Sequence, residues 1–307
     1  MSDVRHFRKV SDLSAKEIRL VLDDAARLKL EPRRDVLAGK TVALIFSKPS
    51  TRTRVSFSVG VYQLGGMPLF LGEKELQMRS SETIEDTARV LSRYVDAIVI
   101  RTFAQQDVDD LAASASVPVI NALTDERHPC QALTDIFTFE ECFPDPRGRT
   151  ITYLGDGNNV AASLAIAGAM TGVNVCLSTP EGYDLPADMW AETQKAATAH
   201  GVRVWQERDP HTAVTGASAL YTDVWISMGQ AEDEEKLSAL RPYAIDERLL
   251  EFASPHAVVM HCLPAHRGME ISDAVMDGAR SVVFDQAENR LHVQKALLAF
   301  LLGADEC

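Results

Sequence analysis

Residues 46–54 read FSKPSTRTR and join an apolar run, Thr41–Phe46, to a helical pattern over Val55–Leu64. The apolar run predicts a buried parallel strand. A helix that starts directly after such a strand turns its first N–H groups and the positive end of its dipole toward one point. The hydroxyls of Ser50, Thr51 and Thr53 and the guanidinium groups of Arg52 and Arg54 add donors that suit an oxyanion. We therefore expect this turn to bind a small anion, in the first place a phosphate. The alternative is an ordinary Ser/Thr helix cap with two solvated arginines.

The composition is that of a globular protein with an acidic surface. The chain has 307 residues, 46% of them hydrophobic, and a formal net charge of −13. The length predicts one large or two medium domains. The negative charge argues against nonspecific binding to nucleic acid or to an anionic membrane surface. A site for an anion must therefore be a local positive pocket.

The five cysteines are scattered, and the sequence contains no C-x-x-C pair. This spacing predicts neither a zinc site nor a disulfide framework, and it fits a reducing cytoplasm. The first residues lack an apolar core of signal-peptide length, and no run is long enough to span a membrane. We expect a cytoplasmic protein without a bound metal.

In the first half of the chain, polar residues follow the ends of predicted strands. Arg101 follows the apolar run 97–100, and His128 and Gln131 follow the run 117–120. Parallel sheets bind ligands at the carboxyl edge of their strands. We expect these residues to share one edge with the turn 50–54. A histidine alone would more often be a satisfied loop residue.

The second half repeats the alternation of strands and helices after the turn Pro144–Gly148, which is the best candidate for a domain boundary. The pattern predicts an α/β protein with two doubly wound parallel-sheet domains and an active-site cleft between them. We place the domains at 1–146 and 147–287. A last strand is predicted over Ser281–Asp285, and a last helix over Glu288–Leu302.

A strand-to-helix turn at Gly155–Val160 invites comparison with a dinucleotide-binding motif. Its third position is Val160 rather than Gly or Ala, so the signal for NAD is weak. The alternative use of the turn is to present Asn158 or Asn159 to a polar ligand.

Two later strand ends carry reactive residue types. Asp223 is a candidate partner for an ammonium group. Cys262 follows the strand 257–261, and alternation places His261 on the opposite face. A buried structural role is the usual alternative for a single cysteine. We expect Cys262 to line the site or relay a proton, and not to act as a covalent nucleophile. Arg290 is predicted in the first turn of the last helix, where a cation suggests an anionic partner, although a surface ion pair explains it as well.

Together these motifs resemble those of the aspartate and ornithine carbamoyltransferases over nearly the whole chain. The motifs that carry the resemblance are Ser50–Arg54, Asp86–Tyr94, His128–Gln131, Gly155–Asn159, Asp223–Gly229, His261–Pro264 and Phe284–Arg290. The segments HPCQ, SMG and HCLP are typical of the ornithine type. The chain departs from the family at Met78-Arg79, where relatives more often carry Leu-Gly.

The resemblance implies a set of site residues. The residues it implies for carbamoyl phosphate are Ser50, Thr51, Arg52, Thr53, Gln77, Arg101, His128, Gln131, Cys262, Leu263 and Arg290. Those implied for ornithine are Asn159, Asp223, Ser227 and Met228. The catalytic residues would be Arg101, His128, Asp223 and Cys262. In the family Gln77 can come from a neighbouring subunit, so a homotrimer is implied, and a C-terminal helix at 288–307 would pack back on the first domain.

The reaction that the resemblance implies is carbamoyl transfer from carbamoyl phosphate to the δ-amine of L-ornithine, giving L-citrulline and phosphate, with no cofactor. Two other classes stay open. One is a related transferase acting on putrescine or N-acetylornithine, and the other is a non-catalytic phosphate-binding protein. A dehydrogenase is a distant third. The sequence does not separate arginine biosynthesis from arginine breakdown, and biosynthesis is our expectation.

Overall fold

The computed structural model describes residues 4–72, 82–226 and 233–303. Contacts divide the chain into two compact units. The first contains Met1–Thr134 and Glu288–Cys307, and the second contains Asp135–Ala287. Both divisions fall inside helices, whereas the Pro144–Gly148 turn lies after the first of them. The boundary at residue 146 stays a prediction.

The first unit is built on a sheet of four parallel strands. Its strands are β1 (Thr41–Phe46), β2 (Met67–Gly72), β3 (Ala97–Arg101) and β4 (Val119–Leu123). They lie in the order β2-β1-β3-β4. Strands β1 and β3 are buried almost throughout, as the continuous apolar runs require. The order reverses between β1 and β3, so a crevice is expected outside their carboxyl ends.

Helices connect these strands. They are α1 (Ala15–Leu30), α2 (Thr51–Gln63), α3 (Ile84–Leu91), α4 (Gln105–Ser114) and α5 (Pro129–Cys142). A capping box between Ser14 and Glu17 starts α1. Residues Val108 and Leu111 of α4 pack with Ile98 and Ile100 of β3 in one apolar cluster. This packing holds the carboxyl ends of the strands in place.

The second unit is built on a sheet of five parallel strands. These are β5 (Thr150–Leu154), β6 (Asn174–Ser178), β7 (Val204–Gln206), β8 (Ala219–Thr222) and β9 (Val258–His261). Their order is β7-β6-β5-β8-β9, which reverses between β5 and β8. The remaining helices are α6 (Asn159–Thr171), α7 (Ala187–His200), α8 (Pro210–Val214), α9 (Glu234–Leu240), α10 (Glu247–Glu251), α11 (Asp273–Met276) and α12 (Val283–Leu302). The predicted fold class, two parallel-sheet α/β domains, is confirmed.

The end of the chain differs from the prediction. Residues Ser281–Asp285 do not form a strand, because α12 begins at Val283 and only Ser281 forms a bridge, to Val259. A short apolar run does not by itself distinguish a strand from the start of a buried helix. Arg290 therefore lies two turns into α12. Its predicted position in the first turn of a helix, where a cation would suggest an anionic partner, was wrong.

Two further observations complete the fold. Helix α3 begins at Ile84 and is capped by Thr83, whose side chain accepts from the Asp86 N–H. None of the helices that the structure describes combines the length and apolarity needed to cross a membrane.

Candidate active site

The turn after β1 has the geometry that the sequence predicted. Ser50 is the N-cap of α2, and its Oγ accepts a hydrogen bond of 3.3 Å from the Thr53 N–H. The N–H of Ser47 donates to the Arg101 carbonyl over 2.9 Å, which ties the turn to the end of β3. The first N–H groups of a thirteen-residue helix therefore face the carboxyl edge of the sheet.

Thr53 and Arg290 are in direct contact. Thr53 is 1% exposed, and its Oγ1 accepts a hydrogen bond of 2.6 Å from Nη2 of Arg290, which is 4% exposed. Because this oxygen already accepts from the guanidinium, the Thr53 hydroxyl hydrogen is directed elsewhere and can serve a ligand. The Nε of Arg52 is buried and has no acceptor among the described residues. Helix α12 thus supplies a cation to the α2 turn.

The other predicted residues of the first unit are buried together. Arg101 and His128 are 6% and 4% exposed, and Gln131 is 1% exposed. The pKa of His128 is held well below its usual value, first by burial and then by repulsion from Arg290 and Arg101. The imidazole is therefore neutral near pH 7, so one ring nitrogen carries a hydrogen and donates, while the other accepts. This is a positive pocket with a neutral histidine inside a chain of strongly negative charge.

In the second unit, Asp223 and Cys262 meet at neighbouring strand ends. The Cys262 thiol donates to Oδ1 of Asp223 over 2.9 Å, and Nδ2 of Asn158 donates to Oδ2 over 2.9 Å. Asp223 is 7% exposed. Strands β8 and β9 are adjacent and parallel, which is why residues just past their ends come into contact. Both carboxylate oxygens are acceptors, so the group is arranged as a carboxylate.

The His261 ring makes its hydrogen bonds to Glu270 and Leu263 rather than to Asp223. Its Nε2 is 3.1 Å from Oε1 of Glu270, and its Nδ1 accepts the Leu263 N–H over 2.9 Å. The acceptor role of Nδ1 places the proton on Nε2, facing the carboxylate. Leu263 has a φ of 59°, the left-handed region that leucine rarely adopts. The buried His261–Glu270 pair thus holds the chain that follows Cys262.

The geometry of the Gly155–Asn159 turn does not favour a dinucleotide. The N–H of Gly157 donates to the Tyr183 carbonyl over 2.8 Å. A Cβ built on Gly157 would lie 2.5 Å from Asp184 C and 2.6 Å from Leu185 N. The glycine is needed because another loop of the protein lies against it, and its N–H is already used.

One group of residues has metal-binding atom types in proximity. Ligand atoms of Asp223, His261 and Cys262 lie within 4.8 Å of one another. The thiol of Cys262 is bonded to Asp223, and both ring nitrogens of His261 have other partners. The three groups are satisfied by hydrogen bonds, and we assign no metal to them.

The described cysteines outside the site are structural. Cys130, Cys142, Cys176 and Cys262 carry free thiols. Burial raises the pKa of Cys130 to about 12, so this thiol stays protonated and is not a nucleophile.

Several predicted residues cannot be placed, and others were missed. Gln77, Ser227 and Met228 lie outside the described residues. From the sequence, Asn158 was only one of two candidate ligands, and Glu270 was not singled out. The signal for Asn158 was its position directly after a strand-to-helix turn, where asparagine is a preferred helix cap. Glu270 had no comparable signal.

The first unit and most of the second match two family descriptions. Residues 5–141 match "Aspartate/ornithine carbamoyltransferase, carbamoyl-P binding domain". Residues 147–301 match "Aspartate/ornithine carbamoyltransferase, Asp/Orn binding domain". The two matches together extend over almost the entire sequence.

Individual relatives agree with these matches. The chain is 54% identical to an ornithine carbamoyltransferase of Parafrankia sp. over 304 residues, covering 97% of this chain and 96% of that protein. It is 52% identical to an ornithine carbamoyltransferase of Thermococcus kodakarensis, covering 96% and 95%. A solved ornithine carbamoyltransferase of Pyrococcus furiosus superposes with a TM-score of 0.95 at 48% identity, covering 98% of each chain.

Proposed function

Because the chain belongs to the aspartate/ornithine carbamoyltransferase family, we propose that it transfers the carbamoyl group of carbamoyl phosphate to the δ-amine of L-ornithine. The products are L-citrulline and phosphate. The observation that carries the proposal is the buried cationic group around Thr53, with Arg101, Arg290 and a neutral His128. Guanidinium groups gathered beside the N-terminus of a helix attract an anion, because a phosphate accepts charge-assisted hydrogen bonds from both. The phosphate of carbamoyl phosphate supplies it.

The phosphate end binds at the α2 turn. Its proposed ligands are Ser50, Thr51, Arg52, Thr53, Gln77, Arg101, His128, Gln131 and Arg290. Support for this assignment comes from the N-terminal N–H groups of α2 and from the buried Arg52 Nε. A guanidinium with an uncommitted N–H gains a charge-assisted hydrogen bond when phosphate enters. Arg52 then stabilises the phosphate as it leaves.

The carbonyl of the carbamoyl group is polarised by three donors, Thr53, Arg101 and His128. Negative charge builds on this oxygen as the amine attacks and the tetrahedral intermediate forms. Donors that are already oriented stabilise that charge without reorganisation. A neutral His128 can donate one N–H to this oxygen, while the arginines carry the formal positive charges.

The amino-acid end of ornithine binds to Asn159, Asp223, Ser227 and Met228. The carbamoyl NH₂ donates to main-chain carbonyls at Cys262 and Leu263. An aliphatic amine has a reference pKa of about 10.4, so only about one molecule in a few thousand is neutral at pH 7. The site must therefore take up a proton from the δ-amine. Asp223 and Cys262 form the proposed relay, which the 2.9 Å hydrogen bond between them supports.

Replacing Cys262 by Ala tests its part in the relay. We expect kcat/KM for ornithine to fall and its pH profile to move, while the affinity for carbamoyl phosphate changes less. Replacement of Cys176, which is buried in β6 away from these strand ends, is the matched control. A Cys262→Ala enzyme with the wild-type rate and pH profile would remove the thiol from the relay and leave Asp223 alone.

The protein is proposed to act as a cytoplasmic homotrimer in arginine biosynthesis. An exposed apolar surface on the first unit supports self-association: Val55 and Tyr62 of α2 are 53% and 63% exposed, and Met67 of the edge strand β2 is 59% exposed. Edge strands with exposed apolar residues are normally covered. Sedimentation equilibrium measures the state directly, and a monomer at micromolar concentration would contradict the trimer.

The first experiment is a citrulline assay with carbamoyl phosphate and one of four amines. These are ornithine, aspartate, putrescine and N-acetylornithine. Product with ornithine alone is expected. Product with putrescine alone would keep the phosphate site and contradict the assignment of Asp223 to ornithine. No product with any amine would favour the non-catalytic alternative.

A further inference from the structure

The Asn158 side chain has a full set of partners. Its Oδ1 accepts the N–H groups of Val160 and Ala161, at 2.9 and 3.1 Å, and the Tyr153 hydroxyl at 3.2 Å. Its Nδ2 donates to Oδ2 of Asp223 at 2.9 Å. Two main-chain N–H donors must meet the oxygen of the amide, so these contacts fix which end of the amide is which. The NH₂ group can only face Asp223.

This arrangement gives the two oxygens of Asp223 different partners. Oδ2 accepts from Asn158, and Oδ1 accepts from the Cys262 thiol. A carboxylate rotates in a broad well about its last side-chain torsion, so its direction depends on what holds it. Asn158 is itself held by the start of α6. The orientation of the carboxylate therefore follows from the rigid end of a thirteen-residue helix.

We propose that Asn158 is a positioning residue for the reaction, which orients the Asp223 carboxylate and keeps it ready to receive a proton from the amine. Asn158 acts through Asp223 and does not itself touch the reacting atoms. A hydrogen bond donated to a carboxylate favours its charged form, which is the form that accepts a proton. The inference rests on the role proposed for Asp223 above.

Other titratable groups face the same carboxylate. Cys262 faces it from the end of β9, and Tyr153 and Tyr221 come from β5 and β8. Asp156 lies in the same turn as Asn158 and interacts with Asp223 as a like charge, while Lys236 of α9 is paired with Asp156 at 2.7 Å. A ring nitrogen of His261 also lies within 4.8 Å of an Asp223 oxygen. Asn158 differs from all of these groups because its amide donates to Asp223 and does not itself titrate.

Two substitutions separate capping from positioning. Asn158→Ser retains a good N-cap but removes the NH₂ donor, so α6 still begins in the same way. Asn158→Asp also retains the cap but places a second carboxylate beside Asp223. A third variant, Asp209→Ala, removes the N-cap of α8, where the Asp209 side chain accepts from the Thr212 N–H. This helix lies in the same unit but away from the ends of β8 and β9. The variant is the control for a loss of capping alone.

We expect Asn158→Ser to lower kcat/KM for ornithine by about 10- to 100-fold, the range for a lost hydrogen bond to a charged group. The acid limb of its kcat profile moves to higher pH. Asn158→Asp moves this limb further, because one of two adjacent carboxylates holds a proton. Asp209→Ala lowers the thermal midpoint and leaves the profile in place. All variants use the same ornithine, so the titration of the free amine is common to every profile.

The combination with Asp223→Ala makes the test decisive. If Asn158 acts through Asp223, the serine substitution has little further effect once Asp223 is gone. Equal, additive losses in the presence and absence of Asp223 would overturn the proposal, and so would a serine variant with an unmoved profile. An Asp223→Ala enzyme of wild-type activity would instead show that the role proposed for Asp223 is wrong. The two failures are therefore distinguishable.

Discussion

Replacing Gly157 by Ala tests how the turn that carries Asn158 and Asn159 is held. A Cβ at this position would lie 2.5 Å from Asp184 C, 2.6 Å from Leu185 N and 2.7 Å from Tyr183 O. Carbon atoms in good contact are about 3.5–4.0 Å apart, so the main chain must move by about 1 Å. No flexible side chain can yield here, because all three atoms belong to the backbone.

The magnitude follows from this geometry. Overpacking a well-packed site costs typically about 1–3 kcal/mol, and a clash with backbone belongs at the upper end. In the variant this movement would also strain the 2.8 Å hydrogen bond from the Gly157 N–H to the Tyr183 carbonyl. With about 3 kcal/mol lost from a unit of this size, the thermal midpoint should fall by about 6–12 °C. A displacement of about 1 Å at catalytic groups can cost about 100-fold in rate, so kcat/KM for ornithine should fall by that order.

The assay combines calorimetric melting with steady-state kinetics and with binding of carbamoyl phosphate. The last should be unchanged, since its proposed ligands lie mainly in the first unit. The control is Gly201→Ala, where φ is +67° and nothing lies within 4 Å of the added Cβ. It should cost about 1–2 kcal/mol from left-handed strain and leave the kinetics unchanged. A Gly157→Ala protein with the melting point and ornithine kinetics of the wild type would refute the reasoning.

Three further predictions concern buried polar groups. Because the pKa of His128 is lowered in the folded protein, the unfolded chain binds a proton near pH 6.5 that the folded chain does not, and the free energy of unfolding falls as pH drops below about 6.5. His128→Gln should reduce this loss of unfolding free energy between about pH 7 and 5.5 by about 1 kcal/mol in urea melts. An unchanged dependence of unfolding free energy on pH would contradict this prediction. Lys295 donates hydrogen bonds from Nζ to two main-chain carbonyls and to Gln63. Lys295→Met should therefore lower the free energy of unfolding, measured by chemical denaturation, by about 2–4 kcal/mol. A loss below about 1 kcal/mol would count against these bonds. Glu270→Leu removes the carboxylate that pairs with His261 and should raise KM for carbamoyl phosphate about tenfold, whereas Glu270→Gln should recover most of the affinity. Equal effects of the two substitutions would argue that Glu270 does not orient the Leu263 main chain through His261.

The sequence predicted well where one signal sufficed. The strand, the turn and the helix start around residues 46–54 are confirmed, because each is encoded in adjacent residues, while anion binding at this turn stays a prediction. Short or ambiguous runs were predicted less well. Ser281–Asp285 contains too few apolar residues to distinguish a strand from the first turn of α12, and tertiary packing chose the helix. The position of Arg290 within its helix was wrong for the same reason.

Contacts between residues far apart in the chain were beyond the sequence. The resemblance implied that Thr53 and Arg290 both contact the phosphate, but only the folded first unit brings their side chains to 2.6 Å. The sequence marked Asp223 and Cys262 as reactive types at strand ends, but the adjacency of β8 and β9 decided that they share a hydrogen bond. The sequence by itself determined most of the strands and helices, because hydrophobic period and turn chemistry are local. The tertiary structure alone decided which oxygen of Asp223 faces Asn158 and which faces Cys262, because that depends on strand order and side-chain direction, which no local pattern encodes.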